Sequence, residues 1–263
     1  MLETLPTAAV VYLYLLAALA GLVLGSGLNC LSWRIAHGQK WSGSQRSACP
    51  VCGHTLAAKD LVPVFSYLAL KGRCRYCHTK IAPRYPITEG LLAVCFVTLL
   101  ARFGLTADTL TAAILCCCLF CLSLVDLETQ IIPDRFLVIP AAVRAMQILG
   151  QGGFSTLLQG IMPGLVLGVG VLAVSLLMDK ILKKDTMGGG DIKLLAVLGM
   201  YFTFPECLFL LIAACVLGIS IATICLKLDT ETAFPFGPAL SLAAWLTLLV
   251  GEPLVGWYLS LFV

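Results

Sequence analysis

The sequence predicts an all-α polytopic membrane protein of about eight transmembrane helices, with one small polar domain between the first and second spans. Of its 263 residues, 60% are apolar and only 12% are charged, and the mean hydropathy is +0.99. The apolar residues form runs of about 20, the length that crosses roughly 30 Å of hydrocarbon as a helix. Helices are expected because backbone polar groups within lipid must be bonded inside their own segment.

Polar breaks divide the apolar residues into eight runs. We expect spans at about 7–31, 87–103, 106–125, 131–149, 155–178, 190–204, 205–226 and 236–261. The domains follow from these limits: a first span over 1–33, an extramembrane domain over 34–86 and a seven-span membrane domain over 87–263.

Lysine and arginine residues are unequally distributed between the two sides of this topology. Fifteen of the seventeen lie in connections that follow odd-numbered spans, and positive residues are retained on the cytoplasmic side. The sequence therefore predicts a multi-pass protein of the cell membrane, surrounded by membrane lipid, with the polar domain in the cytoplasm and both termini outward. A nucleic-acid partner is not expected, because the net charge of +3 is small and no soluble fold presents a basic face.

Four of the thirteen cysteines stand apart from the apolar runs, as two C-x-x-C pairs separated by 21 residues: Cys49 and Cys52, then Cys74 and Cys77. This spacing is typical of a tetrahedral zinc site. Two disulfides or free thiols are the alternative, although a cytoplasmic location disfavours stable disulfides. Four cysteine ligands would close the site, so the metal would be structural. His54 and His78 each follow a pair and are alternative ligands, but we expect them to be loop residues.

Two aspartates lie at predicted span ends on the cytoplasmic side. Asp126 ends the third span, and Asp191 opens the sixth directly after Gly188, Gly189 and Gly190. Ionisable residues at membrane depth are costly and usually functional. Two adjacent aspartates can share one proton, so that one acts as a general base on water and the other as an acid. The glycines favour a tight turn or close approach of a substrate. A helix N-cap is the alternative role for Asp191.

These acidic and glycine segments resemble the paired signature of the GxGD aspartyl proteases of the bacterial type IV prepilin peptidase family. The first half of the signature is Asp126 with Ile132-Pro133-Asp134, and the second is Gly188-Gly189-Gly190-Asp191. Further segments agree along almost the whole chain: Gly25-Ser26-Gly27-Leu28-Asn29 with Arg34, Val62-Pro63-Val64-Phe65-Ser66-Tyr67-Leu68, Gly72-Arg73-Cys74-Arg75-Tyr76-Cys77, Arg84-Tyr85-Pro86-Ile87-Thr88-Glu89, and Phe234-Pro235-Phe236-Gly237-Pro238.

The resemblance implies an enzyme with two activities. It would remove the basic leader of type IV prepilins or pseudopilins and then methylate the new N-terminal amine with S-adenosylmethionine. By this resemblance Asp126 and Asp191 are the catalytic pair, the motif glycines form the active-site loop, and the four cysteines bind zinc in the domain associated with methyl transfer. Gly72 and Glu89 match positions associated with the methyltransferase activity.

Two other classes of protein are compatible with the same residues. One is a membrane-anchored zinc module that recruits a partner through residues 35–86, with the acids as helix caps. The other is a transporter in which Asp126 and Asp191 bind cations or relay protons. The position of both acids at span ends, next to glycines, favours the protease.

Overall fold

The protein is built from α-helices. The computed structural model describes residues 5–39, 46–184, 186–227 and 235–262. The helices are α1 (Thr7–Ala36), α2 (Phe65–Ala69), α3 (Arg84–Phe103), α4 (Ala107–Thr129), α5 (Arg135–Leu182), α6 (Gly189–Leu198), α7 (Phe204–Lys227) and α8 (Gly237–Ser260), with a 3₁₀ turn at Ala58–Asp60. These described ranges contain two isolated β-bridges and no strand, which confirms the all-helical prediction.

Six helices in the described ranges are long and apolar enough to cross a membrane: α1, α3, α4, α5, α7 and α8. A chain with this many apolar helices is a multi-pass membrane protein. The expected spans near residues 7, 87, 106, 205 and 236 each coincide with one of them.

Helix α5 contains two of the expected spans, because its chain reverses at Gly153. This glycine has φ 77° and ψ −159°, a region that is essentially restricted to glycine. Ile148 and Gly160 would lie about 18 Å apart in one straight helix. Instead, a methyl group placed on Gly160 would lie 2.7 Å from Ile148 Cδ1. The halves of α5 therefore fold against each other and correspond to the expected spans at 131–149 and 155–178.

The sixth expected span, at 190–204, differs from the structure. Helix α6 has ten residues, or about 15 Å, too short to cross the bilayer alone, so the count of about eight spans is not confirmed. The apolar run is interrupted because the Glu206 carboxylate accepts the Thr203 N–H at 2.7 Å and the Thr203 hydroxyl at 2.8 Å. This contact, related to a capping box, starts α7.

The chain forms two compact units, residues 1–109 and 110–263. In the first, α1 packs along α3 at Gly21 and Gly25. A methyl group on Gly21 would lie 2.5 Å from Ala93 Cα, and one on Gly25 would lie 3.0 Å from Glu89 Cα. Small residues allow such close backbone approach between membrane helices. The predicted limits of the extramembrane domain, between residues 33 and 34 and between residues 86 and 87, depend on where the membrane lies and stay predictions.

In the second unit, α4 is the most enclosed of the long helices, with 67% of its apolar window buried. Leu115, Cys121 and Leu122 on this helix have no exposed surface. Because Asp126 continues the same helix, its carboxyl is carried into the interior of the unit.

Candidate functional site

Asp126 is a buried acid in the last turn of α4. Only 5% of the Asp126 surface is exposed. Its Oδ2 accepts a 3.0 Å hydrogen bond from the backbone N–H of Gly237. Gly237 is the first residue of α8. Two elements that are 111 residues apart in the chain therefore meet at this carboxyl.

Asp191 is half-buried in the first turn of α6. Burial and the neighbouring Asp126 carboxylate together raise the pKa of Asp191 to about 6. Burial disfavours the charged form of a carboxyl, and a like charge nearby does the same. The structure thus brings Asp126 and Asp191 within electrostatic reach of each other, as an aspartyl pair requires.

The alternative role of Asp191 as a helix N-cap is not supported by the geometry of α6. The N-cap position is occupied by Gly188, and no side chain caps this end of the helix. The backbone N–H of Asp191 is bonded to the Gly188 carbonyl at 3.1 Å. Its carboxyl is therefore not engaged in starting the helix.

The three glycines before Asp191 provide space rather than an unusual backbone. None of them has a positive φ. A methyl group on Gly188 would lie 3.2 Å from Asp191 Oδ2, and one on Gly190 would lie 3.0 Å from Ile132 Cβ. Gly189 has no neighbour within 4 Å. Because they have no side chains, Gly188 and Gly190 allow the Asp191 carboxyl and the connection that precedes α5 to lie close to α6.

An exposed ion pair lies beside this site. Lys193 Nζ is 2.8 Å from Asp134 Oδ1, and both side chains are more than half exposed. Asp134 lies at the N-cap position of α5 without a capping hydrogen bond. Nothing in a sequence pattern pairs residues 59 positions apart, and this contact was not predicted.

The four cysteines of the C-x-x-C pairs converge. Their sulfur atoms all lie within 4.8 Å of one another, and Cys49 Sγ is 3.8 Å from Cys77 Sγ. Zinc–sulfur bonds of about 2.3 Å in a tetrahedron separate the sulfurs by about 3.8 Å. All four cysteines are free, so the disulfide alternative does not describe this structure. The cluster fits a structural zinc site.

The two C-x-x-C turns have the same backbone geometry. The N–H of Cys49 donates to the His54 carbonyl at 3.0 Å, and the N–H of Cys74 donates to the Thr79 carbonyl at 2.9 Å. Neither histidine joins the cluster. His54 packs its ring on Tyr76 at 3.6 Å, and His78 occupies a positive-φ position of the second turn. The expectation that both are loop residues is confirmed.

Asp60 joins the 3₁₀ turn to the second cysteine pair. Its Oδ1 accepts a 2.6 Å hydrogen bond from Arg75 Nε, and its Oδ2 accepts one from Tyr76 Oη at 3.2 Å. The Arg75 guanidinium holds the pKa of the Asp60 carboxyl below its usual range. Only 3% of the Asp60 side chain is exposed. These contacts of Asp60 were not predicted, because the sequence around a single aspartate in a polar segment does not indicate its partners.

Glu89 and Gly72 occupy constrained positions in the first unit. Glu89 is 7% exposed, and its Oε2 accepts the Val64 N–H at 2.8 Å. One residue earlier, the Thr88 hydroxyl contacts Asn29 of α1, with Asn29 Nδ2 at 2.8 Å. Gly72 has φ +67°, and a methyl group there would lie 2.9 Å from Tyr67 Oη. Both residues are therefore placed by contacts within the first unit.

The helices and the two side-chain clusters define a multi-pass membrane protein with an aspartate pair and a four-cysteine cluster. Two family patterns match it: the Bacterial Peptidase A24 N-terminal domain over residues 19–103, and the Type IV leader peptidase family over residues 113–223. The chain belongs to the type IV leader peptidase family and is a peptidase. The resemblance seen in the sequence is thereby confirmed.

Curated relatives cover most of the chain. A prepilin leader peptidase/N-methyltransferase of Burkholderia pseudomallei is 35% identical over 79% of this chain and 68% of the relative. Proteins of the same name from Aeromonas hydrophila and Pseudomonas putida are 34% and 32% identical, over 83% and 92% of this chain and 76% and 92% of their own lengths. No solved structure matches the chain significantly.

Proposed function

We propose that this protein cleaves the basic leader peptide from type IV prepilins or pseudopilins at the cytoplasmic membrane face by aspartyl protease chemistry. It then methylates the new N-terminal amine with S-adenosylmethionine as donor. The names of the relatives support both activities. The observation that carries the proteolytic half is that Asp126, in the last turn of α4, acts electrostatically on Asp191, in the first turn of α6.

The paired carboxyls supply the groups that peptide hydrolysis needs. One carboxylate takes a proton from water as the water oxygen bonds to the scissile carbonyl carbon. The other carboxyl gives its proton to the carbonyl oxygen. As the carbon–nitrogen bond breaks, the first carboxyl passes the proton it took from water to the leaving nitrogen, and the hydroxyl proton of the intermediate returns to the second carboxylate. Two carboxyls that repel each other electrostatically tend not to be ionised together, so we propose that the pair holds the one proton that this sequence of steps uses.

The substrate fits a site at span ends. A prepilin has a basic leader followed by a long apolar helix, which can lie in lipid beside the spans while the leader remains in water. The positive-inside distribution of lysine and arginine supports a cytoplasmic active site and polar domain, with both termini outward. Gly188, Gly189 and Gly190 are proposed as the active-site loop beside the cut bond.

The polar domain is proposed to bind one zinc ion through Cys49, Cys52, Cys74 and Cys77. Zinc there supplies structural stability, since four thiolates leave no open coordination position. S-adenosylmethionine supplies the methyl group in the second reaction. The sequence has no glycine-rich dinucleotide-binding loop. Gly72 and Glu89 are proposed as residues on which methyl transfer depends.

The proteolytic proposal is tested with Asp126→Asn and Asp191→Asn, each co-expressed with a prepilin. Mass spectrometry of the pilin separates leader removal from the addition of one methyl group. Either substitution is expected to abolish cleavage, because it removes one of the two carboxyls that share the proton. The protein should still be inserted in the membrane. Asp134→Asn is the control, because that acid is exposed and paired with Lys193.

Retention of cleavage in either variant would overturn the aspartyl mechanism. The two other protein classes predict no leader removal even by the unsubstituted protein, because neither a partner-recruiting zinc module nor a transporter hydrolyses the pilin. Methylation of a pilin that has already lost its leader is the second measurement. It is expected to persist in both variants and to show that the first unit is intact.

A further inference from the structure

The environment of Asp126 differs from that of Asp191 in one respect that the pairing alone does not explain. Asp126 Oδ2 accepts the Gly237 N–H at 3.0 Å in a buried setting. In the parts of the chain that the structure describes, no hydrogen-bond donor reaches the carboxyl of Asp191, and the charged group that acts on it is the Asp126 carboxylate. The two carboxyls are therefore chemically unequal.

Gly237 is also the residue against which the Asp126 carboxyl is packed. A methyl group on Gly237 would lie 2.6 Å from Asp126 Oδ2, closer than real Cβ atoms approach, and 3.2 Å from its Cγ. The carboxyl has little room to yield, since Asp126 is 5% exposed. Only glycine provides both the N–H and the space at this position.

The amide of Gly237 is held in place by the start of α8. The preceding residue, Phe236, packs its ring against α7, where a methyl group on Gly218 would lie 2.9 Å from Phe236 Cε2. Gly218 and Gly237 are both buried. The donor is thus fixed by helix packing and does not depend on a movable side chain.

We infer that Gly237 is the positioning residue of the aspartate pair: its backbone N–H fixes Asp126 as the ionised carboxyl and leaves the shared proton on Asp191. An N–H group stabilises a carboxylate more than a neutral carboxyl. The inference rests on the proposed aspartyl mechanism and adds to it the direction of proton transfer. Asp126 activates the water, and Asp191 donates the proton.

Among the residues that the structure describes, few other charged groups lie near the pair. Helix α6 contributes Asp191 and Lys193, and Lys193 is engaged by Asp134 at 2.8 Å. Glu128 follows Asp126 on α4, and Arg135 at the start of α5 acts electrostatically on α4 at Cys121. The one charged residue of α8, Glu252, lies towards its other end. These groups are unchanged in the experiment below.

The test compares Gly237→Ala with Gly256→Ala. Both substitutions add one methyl group to a glycine of α8, but Gly256 has no neighbour within 4 Å. Leader cleavage is measured with purified full-length protein and a prepilin, as kcat and KM across pH. Gly237→Ala is expected to lower kcat by about 100-fold, as misplacement of a reacting group by about 1 Å does, with KM nearly unchanged. Gly256→Ala is expected to match the unsubstituted protein.

The pH profile separates positioning from general damage. The Gly237 N–H favours the ionised form of Asp126, so its displacement should move the acidic limb of the kcat/KM profile to higher pH. A loss of folded protein lowers the whole profile without moving its limb. Methylation of a pre-cleaved pilin, expected at its normal rate, reports on the rest of the chain.

Gly218→Ala is the alternative variant for this test if the Gly237→Ala protein does not accumulate. It displaces Phe236 and the start of α8 without adding an atom next to Asp126, and the same limb should move in the same direction by less. Normal kcat in Gly237→Ala, or an unmoved acidic limb in whichever of the two variants folds, overturns the inference. Failure of the aspartyl mechanism itself would appear separately, as cleavage retained by Asp126→Asn.

Discussion

The buried carboxylate of Glu89 accepts a 2.8 Å hydrogen bond from the backbone N–H of Val64, which has φ +60° and ψ −50°. A positive φ is a genuine outlier for a β-branched residue. The Phe65 N–H and the Pro63 carbonyl close a tight turn around it at 2.6 Å. Backbone strain of this kind costs on the order of 1–3 kcal/mol and persists where surrounding contacts enforce it. The hydrogen bond to Glu89 is a side-chain contact that holds this turn.

Glu89→Ala is therefore expected to release the Val64 turn and to reduce methyl transfer by at least about tenfold, the equivalent of a hydrogen bond to a charged group. Leader cleavage should remain. Glu89→Gln keeps an oxygen that accepts the Val64 N–H, and we expect it to retain most of the methylation. The added methyl mass on cleaved pilin is the readout. Equal loss in both variants would contradict the turn-holding role, because it would mean that the negative charge itself is needed.

The crossing of α1 and α3 gives a second prediction. Gly21→Ala would place a methyl group 2.5 Å from the Cα of Ala93, and backbone atoms cannot move aside as a flexible side chain can. We expect a loss of about 1–3 kcal/mol in stability, the usual cost of overpacking. The measurement is thermal unfolding of the detergent-solubilised protein.

Gly27→Ala is the matched control for this crossing. Gly27 lies on the same helix and has no neighbour within 4 Å, so the substitution changes helix propensity equally without a clash. Equal stability of the two variants would show that the close approach at Gly21 is not needed.

The cysteine cluster and the aspartate pair were predictable from the sequence, but the backbone N–H group that bonds to Asp126 was not. The cysteine set was predictable because metal ligation constrains spacing along the chain, and the two turns repeat that spacing in space. Asp126 and Asp191 were predictable as charges at the ends of apolar runs. The donor at Gly237 was not, because a backbone N–H is common to nearly every residue and only the fold aims it.

Helix lengths were predicted well only where polar residues mark the ends. Gly152 and Gly153 separate the two halves of α5 in the sequence as in the structure. The end of α6 at Leu198 was missed, because the next residues remain apolar and the signal for a new helix is the contact between Glu206 and Thr203. The membrane orientation stays a prediction from the distribution of positive charge.

Zinc removal gives a third prediction. Purified protein should contain one zinc ion per chain, lose it in Cys49→Ser or Cys74→Ser, and keep it in His54→Ala, because the four sulfurs form the cluster and the His54 ring packs on Tyr76. Metal analysis by mass spectrometry measures the content. Chelation is expected to expose the four thiols to alkylation and to impair methyl transfer. Leader cleavage should continue, because the aspartates use no metal, and its abrupt loss on chelation at constant fold would contradict that separation.

The pH dependence of cleavage gives the last prediction. Burial and the Asp126 carboxylate raise the pKa of Asp191 to about 6, so this carboxyl is protonated below that pH and ionised above it. If Asp191 donates the proton, kcat/KM for leader removal should fall as pH rises through about 6, approaching tenfold per pH unit. Asp134→Asn should leave this limb in place, because that acid is exposed and bonded to Lys193. A rate that keeps rising well above this pH, with methylation of a pre-cleaved pilin as the control for intact protein, would mean that the ionised form of Asp191 is the active one and that the proton resides on Asp126.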